Sequence, residues 1–261
     1  MVYKLLAAAG LAAVLSAASA QAQEWYVGGS IGIAAQSDSD NSGSSGAFTT
    51  GNGAPAIPFG TPIDAGTPYG WSTEFDDGLA LSAEFGARID NGLRAGVELT
   101  YTDADVDTHS NVTIGGGSID DVDAAVLLTG SADQLGASVA DIVADGQGDI
   151  STTALFANVY YDFNLSGALQ PYVGAGIGLA DVEVDYSPSG VGIIDDSETK
   201  FAYQIKAGAT WRATDAWEIY GEYAYRATED VELDNSLFPG TLDIENQQSV
   251  FSIGARYRFG G

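Results

Sequence analysis

Residues 200–226 read KFAYQIKAGATWRATDAWEIYGEYAYR, and this stretch decides the fold. In its first arm Phe201, Tyr203, Ile205, Ala207, Ala209 and Trp211 share one parity, while Gln204, Lys206, Gly208, Thr210 and Arg212 share the other. After the link Ala213-Thr214-Asp215-Ala216, Trp217, Ile219, Gly221, Tyr223 and Tyr225 alternate with Glu218, Tyr220, Glu222, Ala224 and Arg226. Successive side chains of a strand point to opposite faces, so period two on both arms predicts a hairpin between two different solvents. A soluble sandwich would turn its charges outward, whereas a closed barrel in lipid turns its apolar face out and its polar face in. Trp211 and Trp217 flank the turn, where an amphipathic ring suits a membrane interface. The stretch therefore predicts two strands of a barrel that spans a bilayer.

Working outward, the chain opens MVYKLLAAAGLAAVLSAASAQAQ: a lone Lys4, an apolar Leu/Ala-rich run, then the small-x-small sites Ala18-Ser19-Ala20 and Ala20-Gln21-Ala22. That pattern predicts a secretory signal peptide over residues 1–22, leaving residues 23–261 as one domain. Cysteine is absent, which removes disulfides, thiol nucleophiles and Cys-based metal sites from consideration. A closed ladder of backbone hydrogen bonds, with no edge, is the expected alternative source of stability. Lys and Arg number 9 against 36 Asp and Glu, a formal net charge of −27. No basic stripe exists to neutralise phosphates, so nucleic acid is excluded as a partner.

The same alternation recurs along the chain. Strands are expected over residues 24–34, 78–89, 93–106, 150–163, 171–184, 200–212, 217–226 and 247–259. Asp90-Asn91-Gly92 predicts a tight hairpin, because Asn-Gly tolerates positive φ. Long loops are expected at about residues 35–73, 107–149, 185–199 and 227–246, alternating with short links. In the first, Pro55, Pro58, Pro62 and Pro68 predict extended, partly ordered chain. In the second, Ser131 is the expected N-cap of a short helix carrying Leu135, Val139, Ile142 and Val143 on one stripe. Eight strands with alternating long and short connections predict an all-β, eight-stranded antiparallel up-and-down transmembrane β-barrel. Its termini and short turns would be periplasmic and its long loops extracellular. The periplasmic ends then collect Trp25, Tyr161, Phe163, Trp211, Trp217, Tyr257 and Phe259 into one aromatic belt.

The segments EWYVGGSIG (24–32), PYVGAGIGLA (171–180), residues 200–226 and FSIGARYRF (251–259) resemble the small outer-membrane β-barrel proteins. That family includes the OmpA-like barrel domain and the opacity-porin and surface-antigen group. The resemblance implies a porin-family fold in a Gram-negative outer membrane, and assembly by the barrel-assembly machinery through a C-terminal strand ending on an aromatic residue, here Phe259.

Three groups of residues bear on chemistry. Glu84, Arg88, Arg94, Glu98, Lys206, Arg212, Glu218, Glu222, Arg226, Arg256 and Arg258 all fall on the inward parity. The interior of an eight-stranded barrel is just filled by side chains, so these are expected to pair into a plug; a narrow charge-lined path is the alternative. Asp103, Asp105, Asp181, Glu183 and Glu229 continue the outward parity past the apolar bands. They would meet solvent, or bridge Ca²⁺ or Mg²⁺ to lipopolysaccharide. His109, the only histidine, stands beside Ser110 and near Asp107 in an expected loop, without a nucleophile motif; a rim enzyme acting on lipid A is a distant alternative. The expectation is a monomeric, non-enzymatic barrel in contact with outer-membrane lipid and lipopolysaccharide. It carries no cofactor, and its acidic loops serve a structural or surface-antigen role.

Overall fold

The computed structural model describes residues 24–163 and 167–260. The signal-peptide expectation lies outside the described residues. Eight long strands carry the architecture: β1 (Glu24–Gln36), β2 (Gly78–Arg88), β3 (Leu93–Ile114), β4 (Gly148–Asp162), β5 (Leu169–Tyr186), β6 (Ile194–Arg212), β7 (Trp217–Thr228) and β8 (Gln247–Phe259). Each pairs antiparallel with the next in the chain, from β1–β2 through β7–β8. β8 then pairs back onto β1, with Trp25 opposite Phe259 and Gln36 opposite Gln248. The predicted hairpin at residues 90–92 is present, with Asn91 at φ 66° and Gly92 at φ 83°, the left-handed conformation that Asn-Gly supplies.

The described residues hold more strands than the eight expected, and the additional ones lie in the expected long loops. Ser39–Ser45 pairs with Thr67–Phe75, which pairs in turn with the far half of β3. On its other edge Ser39–Ser45 takes Gly240–Ile244, which pairs with Val231–Asp234. A bridge between Ile194 and Asn235 ties that last strand to β6. Short strands at Phe48–Thr49 and Pro62–Ile63 pair with each other. Pairing edge to edge satisfies the backbone donors and acceptors of these segments and leaves fewer open strand edges. β3 correspondingly runs to Ile114 rather than stopping near residue 106. The short helix is also displaced. It spans Val139–Val143, and its N-cap is Ser138, whose side chain accepts from Asp141 N while Asp141 caps back. Ser131 lies well before it. Ser138-x-x-Asp141 satisfies two otherwise orphan donors reciprocally, and that outcompetes a start at Ser131.

The polarity of the interior inverts along the strands. On β3 the outward residues Leu93, Leu99 and Tyr101 are exposed and apolar, and the inward Arg94, Glu98, Thr100 and Thr102 are buried and polar. Past that point the same parity carries Asp103, Asp105 and Asp107 outward and buried Ala104 and Val106 inward. β5 does likewise, with Val173 and Ile177 outward, then Asp181, Glu183 and Asp185 outward over buried Val182 and Val184. One continuous ring therefore has two tiers. A lower tier is apolar outside and polar inside. An upper tier is acidic outside, over an apolar core that includes Tyr69, Trp71, Phe156, Tyr186, Leu233, Leu242 and Ile244.

Candidate functional site

The interior of the lower tier is the candidate site. At the end nearest the short links, Glu218 on β7 is fully buried and collects arginines. Arg88 Nη2 donates to both its carboxylate oxygens at 2.9 Å, Arg256 Nη1 donates at 3.2 Å, and Arg258 Nε lies at 3.4 Å. Arg212, its β6 partner in register, reaches only 3.9 Å with a side chain 42% exposed, so it belongs to the mouth. Glu24 ties Arg258 at 3.1 Å and Arg88 at 3.8 Å.

Above this layer lies a belt of inward tyrosines. Arg94 Nε donates to Asp162 at 3.0 and 2.9 Å, and its guanidinium stands 4.3 Å from the Tyr160 ring centroid and 5.0 Å from that of Tyr172. Arg256 lies between Tyr220 at 4.7 Å and Tyr26 at 4.9 Å. Planar, weakly hydrated guanidinium groups suit such stacking, which fills cross-section that a charge pair alone would leave open. The tyrosines need room, and glycine supplies it: a Cβ on Gly254 would lie 2.3 Å from the Tyr220 ring, and one on Gly86 2.4 Å from the Tyr26 ring.

The third layer centres on Glu98. It accepts from Lys206 Nζ at 2.7 Å, Gln204 Nε2 at 2.8 Å and Asn158 Nδ2 at 2.9 Å, with Arg226 Nη2 at 3.8 Å. Lys206 also donates to Glu222 at 2.9 Å, which accepts from Tyr172 OH at 2.8 Å. Glu84 accepts from Tyr26 OH at 2.9 Å. Above it Thr102, Gln248, Asn246 and Thr152 form a neutral polar layer, and beyond them the apolar core begins with Ala154, Phe156 and Ala180.

The structure thus brings Glu84, Arg88, Arg94, Glu98, Lys206, Glu218, Glu222, Arg226, Arg256 and Arg258 into one interior, leaving Arg212 at its edge. Sequence reasoning missed Tyr26, Tyr160, Tyr172, Asp162 and Asn158 in the same interior. The signal was available, since each lies on the inward parity of a strand that was already identified.

The aromatic residues Trp25, Tyr161, Phe163, Trp211, Trp217, Tyr257 and Phe259 lie at the short-link end of the ring. Trp25 stacks on Phe85 at 5.2 Å, and Trp217 packs on Tyr257 at 5.1 Å. The outward acids do not form one site. Asp103 and Asp105 on β3 and Asp181 and Glu183 on β5 flank β4. Glu229 lies elsewhere, its backbone N–H donating to Phe201 O. Among the described residues no group of three or more His, Cys, Asp and Glu side chains has the arrangement to hold a metal ion.

His109 is not in a surface loop. It lies within β3, 2% exposed, with Nδ1 2.8 Å from Thr73 Oγ1 and its ring edge-on to Tyr186 at 4.8 Å. Burial pushes its pKa down to about 4, against a smaller opposing pull from Asp145, so the ring is neutral. Asp149, on the outer face of the upper tier, has its pKa raised, first by partial burial and then by Asp185, Asp103, Asp105 and Glu183.

Comparison with known families decides the affiliation, because the model of the outer membrane protein beta-barrel domain matches residues 5–259. The chain belongs to that family. An all-β antiparallel fold and residence in the cell outer membrane follow from membership in the outer membrane beta-barrel family. The chain is similar to outer membrane protein PagN of Salmonella typhimurium, at 30% identity over 137 residues, 46% of this chain and 57% of PagN. The match therefore spans little more than half of that relative's length. Among solved structures it is similar to Neisserial surface protein A, at 17% identity and TM-score 0.44, covering 90% of this chain and 97% of that one. It is also similar to the outer membrane protease OmpT of Escherichia coli, at 9% identity and TM-score 0.45, covering 90% and 97%.

Proposed function

We propose that the eight-membered ring is a non-conducting, up-and-down transmembrane barrel that holds a rigid acidic surface above the outer membrane, in a structural and surface-antigen role. One observation carries this reading: the interior of the lower tier is cross-linked layer by layer by buried charge pairs and stacked aromatic rings. Arginine–carboxylate pairs and stacked tyrosines fill the lower tier, and an apolar core closes the upper one. Removing either partner of a buried pair strands a charge, so such a plug is costly to open.

The outward apolar band runs from Leu93 to Tyr101 on β3, the roughly nine residues that a tilted strand needs to cross the hydrocarbon. In this reading the aromatic belt marks the periplasmic interface, both termini are periplasmic, and the upper tier is extracellular. The band meets lipid and lipopolysaccharide. The outward acids on β3 and β5 meet solvent or lipopolysaccharide-bound divalent cations. The β8 strand engages the assembly machinery, and the barrel is monomeric, since every ring strand already has two neighbours. The burial of His109 in an aromatic core supports a non-enzymatic role.

Single-channel recording of the detergent-refolded chain in a planar bilayer tests the proposal, with heat-modifiable gel migration as the folding control. The expected result is electrical silence from folded protein. Discrete, reproducible conductance steps would replace the plugged reading with that of a narrow pore lined by the same Arg and Glu residues.

A further inference from the structure

The outer face of the upper tier is dented where Ser39–Ser45, Thr67–Phe75 and the far half of β3 run side by side. The dent is built around a β-bulge. Gly70 is opposite Thr113 and Ser72 is opposite Ser110, so Asn111 and Val112 together oppose Trp71. A bulge admits one extra residue and re-aims a side chain. Here Val112 stays in the core while Asn111 is exposed, at φ 59°, a left-handed conformation that Asn tolerates better than most residues. Gly70 leaves the floor bare: a Cβ there would lie 2.3 Å from Asn41 O, so the two backbones approach as a side chain would not allow.

The concavity has a volume of about 320 Å³, within the roughly 300–1,000 Å³ of small-molecule sites. Asp40, Ser42, Ser72, Asn111 and Thr113 line it, with Pro68 beside them. Chemistry fixes the main polar roles. A carboxylate only accepts, so Ser72 Oγ donates to Asp40 Oδ1 at 2.9 Å and leaves Oδ2 for a ligand. Thr113 Oγ1 donates to Gly70 O at 3.3 Å and keeps its lone pairs. The Asn111 amide stands 3.2 Å from Ser110 Oγ and 3.4 Å from Ser72 Oγ, and it offers both donors and an acceptor whichever way it is turned.

We propose that this concavity binds a neutral sugar ring. Each hydroxyl of a pyranose both donates and accepts, which matches a lining of hydroxyls and an amide, and its bond to the Asp40 carboxylate is of the stronger, charge-assisted kind. The Pro68 ring offers an apolar surface to the C–H face of the sugar. An anionic sugar would meet Asp40 with no Lys or Arg in the lining, in a chain of net charge −27. An amine would pair with Asp40 and leave the hydroxyls without partners, and a hydrocarbon would desolvate all of them. The site lies outside the ring, so its binding does not rest on whether the barrel conducts.

The test is a saturation-transfer NMR titration of the full chain refolded in a zwitterionic, sugar-free detergent. Methyl glucoside, methyl galactoside and methyl mannoside are the probes, with glucuronate and spermidine as charged controls. At least one pyranoside should saturate a single site, with both controls about tenfold or more weaker. Asp40→Asn should weaken that pyranoside about tenfold, and Asn111→Gly, which suits the positive φ, about threefold. Ser42→Trp, which fills the concavity, should abolish binding. These three positions are exposed, and heat-modifiable migration reports whether each variant folds. A repeat after reconstitution with lipopolysaccharide separates two sources of the sugar. Loss of pyranoside binding assigns the site to the surrounding lipopolysaccharide, and retained binding assigns it to a saccharide met in solution. The proposal is overturned if no pyranoside binds saturably, if glucuronate or spermidine binds as tightly, or if binding is unchanged in the folded variants.

Discussion

Lys206 Nζ lies 2.7 Å from Glu98 Oε1, and both side chains are 2% exposed. Lys206 also holds Glu222, so one ammonium bridges two carboxylates from β3 and β7. Replacing it leaves Glu98 with only Arg226, at 3.8 Å, and removes the ion-pair partner of Glu222. Lys206→Met should therefore cost about 3–5 kcal/mol, read as a lower urea midpoint of the refolded protein. Combining it with Glu98→Gln should cost less than the sum of the two single changes, because the second removes a charge that the first left poorly paired. Additive losses would mean that the pair is not coupled as the geometry requires.

Gly254 on β8 is the register partner of Tyr220 on the adjacent β7, and a Cβ there would meet the Tyr220 ring at 2.3 Å. Tyr220 in turn stacks under Arg256, so the ring cannot swing aside without opening the plug. Gly254→Ala should destabilise by about 1–3 kcal/mol, the usual range for overpacking. Gly221, where an added Cβ meets nothing within 4 Å, is the control. Its Ala variant should leave the urea midpoint nearly unchanged.

How far these features could be read from sequence depends on what parity alone determines. Parity assigns Glu98, Lys206 and Glu218 to the interior because a strand has only two faces. It assigns Tyr220 there too, on the charged face of the Lys200–Arg226 stretch, and by the same logic could have found Tyr26, Tyr160 and Tyr172. It does not say which charge meets which. Arg212 is in register with Glu218 and still ends at the mouth, because Arg88, Arg256 and Arg258 crowd the same carboxylate. The upper tier was harder. Asp103-Ala-Asp-Val-Asp107 and Asp181-Val-Glu-Val-Asp185 keep the phase of their strands while exchanging the solvents of the two faces, so they read as strand ends bearing acids. The pairing of residues 39–45 with 240–244 joins segments almost two hundred residues apart, and its middle strand, residues 39–45, is made of Ser, Asp, Asn and Gly. Those residues carry little alternation to signal a strand. His109 falls in an expected loop for the same reason, since the sequence pattern ends β3 before it.

Asp105, Asp149 and Asp185 oppose one another in register on β3, β4 and β5. Like charges directly opposite on one face are destabilising, and the pKa of Asp149 is raised first by partial burial and then by these neighbouring carboxylates. A carboxyl whose folded pKa exceeds its unfolded value costs stability once pH rises above both. Asp149→Asn should therefore raise the urea midpoint at pH 7, by on the order of 0.5 kcal/mol. The gain should shrink in high salt, as an exposed charge effect is screened. A loss of stability at pH 7 would show that Asp149 is held by a favourable partner instead.

His109 supplies the opposite sign. Its folded pKa of about 4 lies below the ordinary 6.5, because burial beside Trp71 and Tyr186 disfavours the imidazolium more than Asp145 favours it. Between those two values the unfolded chain binds the proton and the folded chain does not. The contribution is therefore fully present above about pH 6.5 and is lost as pH falls toward 4, amounting to on the order of 3 kcal/mol. His109→Phe keeps the aromatic packing and cannot titrate. Urea midpoints taken at half-unit steps from pH 7.5 to 4 should diverge below 6.5, with the parent falling relative to the variant. Parallel curves would place a charged, solvated histidine at this position.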